Sequence, residues 1–319
     1  MTESILSVEA IRKQYATVTA VDRLNFQIRE GEIFALLGPN GAGKTSTVRM
    51  LIGITRPDSG RIRYQARAGE QAAITGPELG YLPEERGLYQ DQPVLDVLVY
   101  FGRLQGLSRR DARGRATQWL ERLDLGERAT EKLGALSKGN QQKVQLISTI
   151  LHRPRFAVLD EPFSGLDPVN QERFLDLVRE LRAEGMTVLL SAHQMALVER
   201  LADNILLMNQ GQEAMTGTLE SLRHDSGLGT ALEVQFRDQP PRELPSLSGV
   251  QDSRRLDERR LRLSLASDSD MNELLGALQG LGAIEALHSE RPSLHDIYLH
   301  AVGEKGPNSE KNDAEEMTA

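Results

Sequence analysis

Apolar and polar positions along this chain change their period repeatedly, and each change marks an element. Ile33, Phe34, Ala35, Leu36 and Leu37 are apolar without a break, the pattern of a strand buried on both faces. Ahead of them, Ser7 to Gln14 alternates loosely. Val21 to Ile28 alternates better, through Val21, Leu24, Phe26 and Ile28, and Glu30-Gly31 closes a turn, so two half-buried strands are predicted. Behind them, Val48, Met50, Leu51 and Ile52 suit a helix. Pro57-Asp58-Ser59-Gly60 is a turn, Arg61 to Gln65 a short polar strand, Ala66 to Pro77 a surface loop, and Gly80 to Pro83 a buried strand ended by its proline.

From Val94 the period becomes helical. Leu95, Leu98, Val99 and Leu104 recur at helix spacing, as do Trp119, Leu120 and Leu123, while Arg109 to Arg115 makes a solvated helix face. A further helix runs to about His152 and stops at Arg153-Pro154, so residues 94–152 are predicted to form a helical subdomain. Strands then alternate with helices: Phe156 to Leu159 before Val169 to Arg182, and Thr187 to Leu190 before Ala196 to Leu201. Ile205 to Met208 and the Asn209-Gln210-Gly211-Gln212 turn follow as a closing hairpin. Such alternation implies an α/β fold with a mainly parallel sheet, and the early alternating strands add an antiparallel β portion. Beyond Asp225 the strands Leu232 to Phe236, Leu261 to Leu265 and Ile284 to Leu287, a helix capped by Asp270, and a last helix from Leu294 to Val302 predict a small α+β domain. The expected organisation is therefore a first domain over 1–224, an accessory domain over 225–302, and a polar, disordered tail over 303–319.

Composition narrows the function. The formal charge is -8 and aromatics make up 4% of the 319 residues, which argues against a broad nucleic-acid-binding face. The absence of cysteine removes thiol catalysis and disulfides. No apolar run is long enough to span a bilayer, and the beginning MTESILSVEAIRKQY lacks the apolar core of a signal peptide. A transport role would require a pore from another polypeptide.

Three strings carry the chemistry: GPNGAGKT, LSKGN at Leu136 to Asn140, and FAVLDEP at Phe156 to Pro162. GPNGAGKT spans Gly38 to Thr45, between the apolar strand and the helix that follows, the context a phosphate-binding P-loop needs. Gly41 and Gly43 let the backbone curl into a nest of inward N–H groups, and the helix adds roughly half a positive charge at its start. Gly38, Pro39, Asn40, Gly41, Ala42, Gly43, Lys44, Thr45 and Ser46 are thus the expected nucleotide-binding loop, with Lys44 on the β- and γ-phosphates and the Thr45 hydroxyl on Mg²⁺. Phe156 to Leu159 leads to Asp160 and Glu161 at a strand's C-terminal edge, where ligands of open α/β sheets bind. Asp160 is expected near the Mg²⁺ hydration shell and Glu161 on the attacking water. His193 follows the strand Thr187 to Leu190 and emerges at the same edge, positioned for a γ-phosphate. The remaining histidines show no metal-site spacing.

The ordered series GPNGAGKT, GYLPE, LSKGN, LDEP, SGLD and SAH resembles the ATP-binding subunit of ABC transporters, over about Ser4 to Leu222. The resemblance implies a P-loop NTPase fold of the ABC type, ATP and Mg²⁺ as ligands, and ATP hydrolysis. It assigns Tyr15 to adenine stacking. Ser137, Gly139 and Asn140 become the signature segment that closes on ATP held by a second, head-to-tail copy, and Asp167 a contact across that interface. Ser137 also suits the N-cap of the helix it opens. Two departures stand out. Lys138 and Asn140 replace the common glycine and glutamine of the signature, and Glu84 replaces the glutamine that helps hold Mg²⁺; a carboxylate can still ligate it. GYLPEERGLY and RPSLHDIYLHAVG are similar to the exporter branch that pairs with ABC-2 type membrane subunits, including sodium-exporter ATPases. This implies a separate permease subunit, a peripheral position on the cytoplasmic face of the membrane, and no nucleic-acid partner. The competing readings are an ABC-type ATPase of ribosomes or DNA, which usually carries two modules or a long coiled-coil insertion absent here, and an import ATPase.

Overall fold

The computed structural model describes residues 4–85, 87–241, 244–266 and 269–303. The tail expected to be disordered lies outside them except for Gly303. Two compact units divide between Thr218 and Leu219.

In the first unit, β1 (Ser4–Tyr15), β2 (Val18–Arg29), β4 (Ser59–Ala66) and β5 (Gly69–Gln71) form an antiparallel sheet in the order β2-β1-β4-β5. β5 falls inside the stretch predicted to be loop. Its residues, Gly-Glu-Gln, carry no apolar alternation, and only backbone pairing to Tyr64, Gln65 and Ala66 makes them a strand. A second sheet has the order β10-β9-β3-β8-β7-β6. It is built from β3 (Ile33–Leu37), β6 (Leu79–Leu82), β7 (Phe156–Asp160), β8 (Thr187–Ala192), β9 (Asn204–Asn209) and β10 (Gln212–Gly217), and only β10 is antiparallel to its neighbour. β3, β7 and β8 are buried at every residue, as expected of mostly apolar strands inside a parallel sheet.

The main core lies between the sheets, where Ile5, Leu24, Ile28 and Tyr64 pack with Phe34, Phe156, Leu189 and Met208, and with Val48 and Leu51 of α1 (Lys44–Leu51). A separate helical core joins α2 (Val94–Leu104), α3 (Arg109–Arg122) and α4 (Lys138–Ile150) through Leu98, Leu120, Val144 and Ile147. Helices α5 (Pro168–Ala183) and α6 (Met195–Glu199) complete this unit.

The second unit begins with α7 (Leu219–Asp225), a short helix the sequence reading had left within the first domain. It holds the antiparallel sheet β12-β13-β11-β14, formed by β11 (Ala231–Phe236), β12 (Val250–Arg255), β13 (Arg260–Leu265) and β14 (Ile284–Glu290), with α8 (Met271–Leu281) and α9 (Leu294–Ala301). Leu232, Val234, Phe236, Leu261, Leu263 and Leu265 share one face and pack on Leu274 and Leu278 of α8. β12 escaped the sequence reading because VQDSRR is a polar edge strand with no buried residue.

Candidate functional site

Strand order brings the site together. β3, β8, β7 and β6 are neighbours and parallel, so their C-terminal ends share one edge of the sheet. The P-loop leaves β3, His193 follows β8, Asp160 and Glu161 end β7, and Glu84 follows β6. A cleft of ≈ 620 Å³ opens there, lined by Asn40, Gly41, Ala42, Gly43, Lys44, Thr45 and Ser46, by Glu84 and Glu161, and by Val18, Thr19, Ala20 and Gln210.

The loop is shaped by what surrounds it. Gly43 has φ 101°, and a Cβ placed on it would lie 2.3 Å from the Ala20 carbonyl oxygen of β2. Gly211, in the β9–β10 turn, accepts from Asp22 N at 2.8 Å and donates its own N–H to Ala42 O at 3.0 Å. This turn therefore ties the P-loop to β2. Val18, Thr19, Ala20 and Gln210 were not anticipated as lining residues. The Asn-Gln-Gly-Gln turn was visible in the sequence, but nothing local said it would reach the P-loop.

Charged side chains converge in the cleft. Lys44 is 6% exposed, donates to Gly38 O at 2.8 Å and Pro39 O at 3.2 Å, and stands 3.6 Å from Glu161 Oε1. Glu161 turns out of β7 with φ 49°, donates its N–H to Ser191 O, and accepts from His193 Nδ1 through Oε2 at 2.7 Å. A left-handed non-glycine residue at the end of a buried strand is strained backbone of the kind found at functional sites. Asp160 is 1% exposed, and burial raises its pKa above the ordinary carboxylate value. The Ser191 hydroxyl opposes that shift, the charges of Glu84 and Glu161 reinforce it, and Lys44 opposes it. Asp160 Oδ1 has no well-formed hydrogen bond among the described residues, nor has Ser191 Oγ. An orphaned, buried carboxylate oxygen at the end of β7 fits a divalent cation that also takes phosphate oxygens. No group of three or more acidic, histidine or cysteine side chains among the described residues holds a metal unaided.

The other expected site residues lie elsewhere. Tyr15 ends β1, 41% exposed, with Lys13 Nζ 5.6 Å from its ring centre; Val18, its hairpin partner, reaches the cleft. Ser137 caps α4 by accepting from Asn140 N at 3.4 Å. Asp167 caps α5, accepting from Asn170 N at 3.0 Å and Nδ2 at 2.5 Å, and those bonds hold its carboxyl below the ordinary range. A Cβ on Gly139 would lie 3.4 Å from Asn170 Nδ2, so Gly139 and Asp167 both adjoin Asn170. Ser137, Gly139, Asn140 and Asp167 form a second patch, and none of them lines the cleft.

A glycine-rich phosphate cradle at the C-terminal edge of a parallel sheet, with a helical subdomain inserted between β6 and β7, defines a P-loop nucleotide-hydrolysing protein. Known proteins narrow this. Residues 21–164 match the family described as ABC transporter, and residues 217–302 the family described as ATP-binding protein DrrA1-3-like, C-terminal domain. The uncharacterized ABC transporter ATP-binding protein YhaQ of Bacillus subtilis is 38% identical, over 94% of this chain and 99% of its own. Nod factor export ATP-binding protein I of Ralstonia nicotianae is 37% identical over 74% of each chain. A solved structure described as the ATP-binding subunit of an ABC transporter aligns with TM-score 0.63 and 29% identity, covering 70% of this chain and 94% of that one. The chain belongs to the ABC transporter ATP-binding proteins, and its chemistry is ATP hydrolysis.

Proposed function

We propose that two copies of this chain close head to tail on two ATP molecules, each held between the P-loop of one copy and the Ser137–Asn140 segment of the other. We propose further that this closure energises export through a separate ABC-2 type membrane subunit, with the chain bound peripherally at the cytoplasmic face. One observation carries the shared site: Ser137, Gly139 and Asp167 form a surface patch outside the cleft that holds Lys44 and Glu161. The N-terminus of α4, with its N–H groups, suits a phosphate from outside, and its own chain supplies none.

Within the cleft, the loop N–H groups and Lys44 bind the β- and γ-phosphates. Lys44 exchanges its contact with Glu161 for them, which leaves the Glu161 carboxylate free to accept the proton of the attacking water. His193 donates Nδ1–H to Glu161 and fixes its orientation. Donation from Nε2 to the γ-phosphate as well requires the imidazolium form. Tyr15 stacks on adenine at the cleft's rim. Mg²⁺, when bound with ATP, supplies charge neutralisation of the phosphates, and Thr45, Asp160 and Glu84 are the residues that would hold it.

Among the described residues no helix is long and apolar enough to cross a membrane. A membrane partner has a candidate dock where Tyr89, Tyr100 and Phe101 cluster, with ring centres 5.5–6.3 Å apart. Tyr89 is 53% and Tyr100 45% exposed. Export is the reading favoured by the Nod factor relative and the DrrA-like second unit, and that unit, from Leu219 on, acts as an accessory domain.

Mixing tests the shared site. Lys44→Ala and Ser137→Arg proteins should each be inactive alone. Their mixture should regain activity, because one site of the mixed dimer has both parts intact. A Ser137→Arg protein that hydrolyses ATP at the parental rate refutes the shared site.

A further inference from the structure

Gln145 links the helix that starts at Ser137 to the loop that carries Glu84. Gln145 and Thr149 of α4, with His152 two residues past its end, meet alternate carbonyls along one line. His152 Nε2 meets Leu79 O at 2.9 Å, and Thr149 Oγ1 donates to Tyr81 O at 3.2 Å. Gln145 Nε2 donates to Pro83 O at 3.0 Å and Glu85 O at 3.4 Å. The spacing is one face of a helix set against every second residue of a strand. β6 is an edge of the six-stranded sheet, and open edges need covering. That accounts for His152 and Thr149. It does not account for Gln145, whose bonds fall beyond Leu82, where β6 ends, on the two residues flanking Glu84.

The amide's orientation is forced. Both partners are carbonyls, so the nitrogen faces them and the oxygen faces away. Gln145 is 2% exposed and its Oε1 is buried with no donor among the described residues. An apolar side chain of similar length would fill the space without stranding an acceptor. The amide is therefore held at a cost, and what it secures is the backbone on either side of Glu84, a residue that lines the nucleotide cleft.

We propose that Gln145 is a positioning residue for ATP hydrolysis. It fixes the Pro83–Glu85 backbone so that the Glu84 carboxylate stands in the cleft. Because it rides on α4, it also ties Glu84 to the helix whose N-cap is Ser137. When Ser137 closes on the nucleotide of the second copy, the same rigid helix sets Glu84 in the cleft of its own copy. This rests on the shared-site reading above.

A double-mutant cycle on the full chain tests it. Gln145→Leu should lower kcat about tenfold, the usual weight of a group that orients a site residue, with KM within about twofold. In a Glu84→Ala background the same substitution should change kcat by less than about twofold, since residues acting as a unit are non-additive. Thr149→Val, which removes the neighbouring contact to β6, should leave kcat within about twofold of the parent. In nucleotide-free protein, amide exchange at Glu84 and Glu85 should accelerate in Gln145→Leu. Equal losses in both backgrounds, a Thr149→Val protein as impaired as Gln145→Leu, or unchanged exchange at Glu84 and Glu85 overturns the proposal. If Gln145→Leu does not fold, Gln145→Met, unbranched and of similar length, replaces it in every arm. Failure of the shared-site reading would show separately, as a Ser137→Arg protein that hydrolyses ATP at the parental rate; the exchange measurement needs no turnover and judges Gln145 regardless.

Discussion

Replacing Gly43 by alanine should damage the first unit far more than replacing Gly41. Both glycines have positive φ, 101° and 83°. For an L-residue such a conformation costs about 1–2 kcal/mol, and this term is common to both substitutions. Their surroundings differ. A Cβ at position 41 meets nothing within 4 Å, whereas one at position 43 lies 2.3 Å from Ala20 O and 3.3 Å from both Gly211 Cα and Met208 Cε. Ordinary contact begins near 3.4 Å, so the Ala20 carbonyl must retreat by roughly 1 Å. That oxygen belongs to β2, and the neighbouring Asp22 is bonded to Gly211, so neither wall yields as a flexible side chain would. Overpacking against a fixed wall adds about 1–3 kcal/mol. At about 2–4 °C per kcal/mol for a unit of this size, Gly43→Ala should melt roughly 2–12 °C below Gly41→Ala. It should also bind ATP more weakly, because Gly43 is the N-cap of α1 and any shift there moves the loop N–H groups off the phosphates. Scanning calorimetry of the two variants, with ATP titrations, measures both effects. Equal melting temperatures would refute the steric argument and leave only the shared backbone term.

Two further outcomes follow from the geometry. Glu161→Gln should still bind ATP but lose about 10²–10⁴ in turnover, the range for a lost general base; near-parental turnover in a steady-state assay removes Glu161 from that role. His152 is held below its ordinary pKa by burial and by the nearby Arg115 charge, while its bond to Leu79 O opposes the shift. The unfolded chain therefore takes up that proton first, and stability falls as pH drops below about 6.5. Stability at higher pH is unaffected, so His152→Gln should lose less urea resistance than the parent between pH 7 and pH 5; parallel losses in the two proteins would contradict this.

Much of the first unit could be read locally. The unbroken run Ile33–Leu37 became β3 with both bounds as expected, and Phe156 and Thr187 begin β7 and β8 as predicted. Such runs are legible because a strand buried on both faces is mostly apolar, so its span stands out in composition. β5 and β12 were missed for the converse reason: GEQ and VQDSRR carry no apolar alternation, and pairing to a neighbour alone makes them strands. α7 falls on the second-unit side of the division between Thr218 and Leu219, whereas the local pattern shifts only near Asp225.

Residue identity and spacing determined the phosphate loop, the acidic pair at the end of β7 and the cap at Ser137, since each depends on a few neighbours along the chain and on backbone geometry that short motifs dictate. Tertiary structure decided everything that depends on strands meeting out of sequence order. It joined His193 to Glu161, wedged Gly211 between the P-loop and β2, put Lys44 beside Glu161, and laid Gln145 across the carbonyls around Glu84. Those contacts join residues from 32 to 189 positions apart, and no local period or propensity records a neighbour that distant.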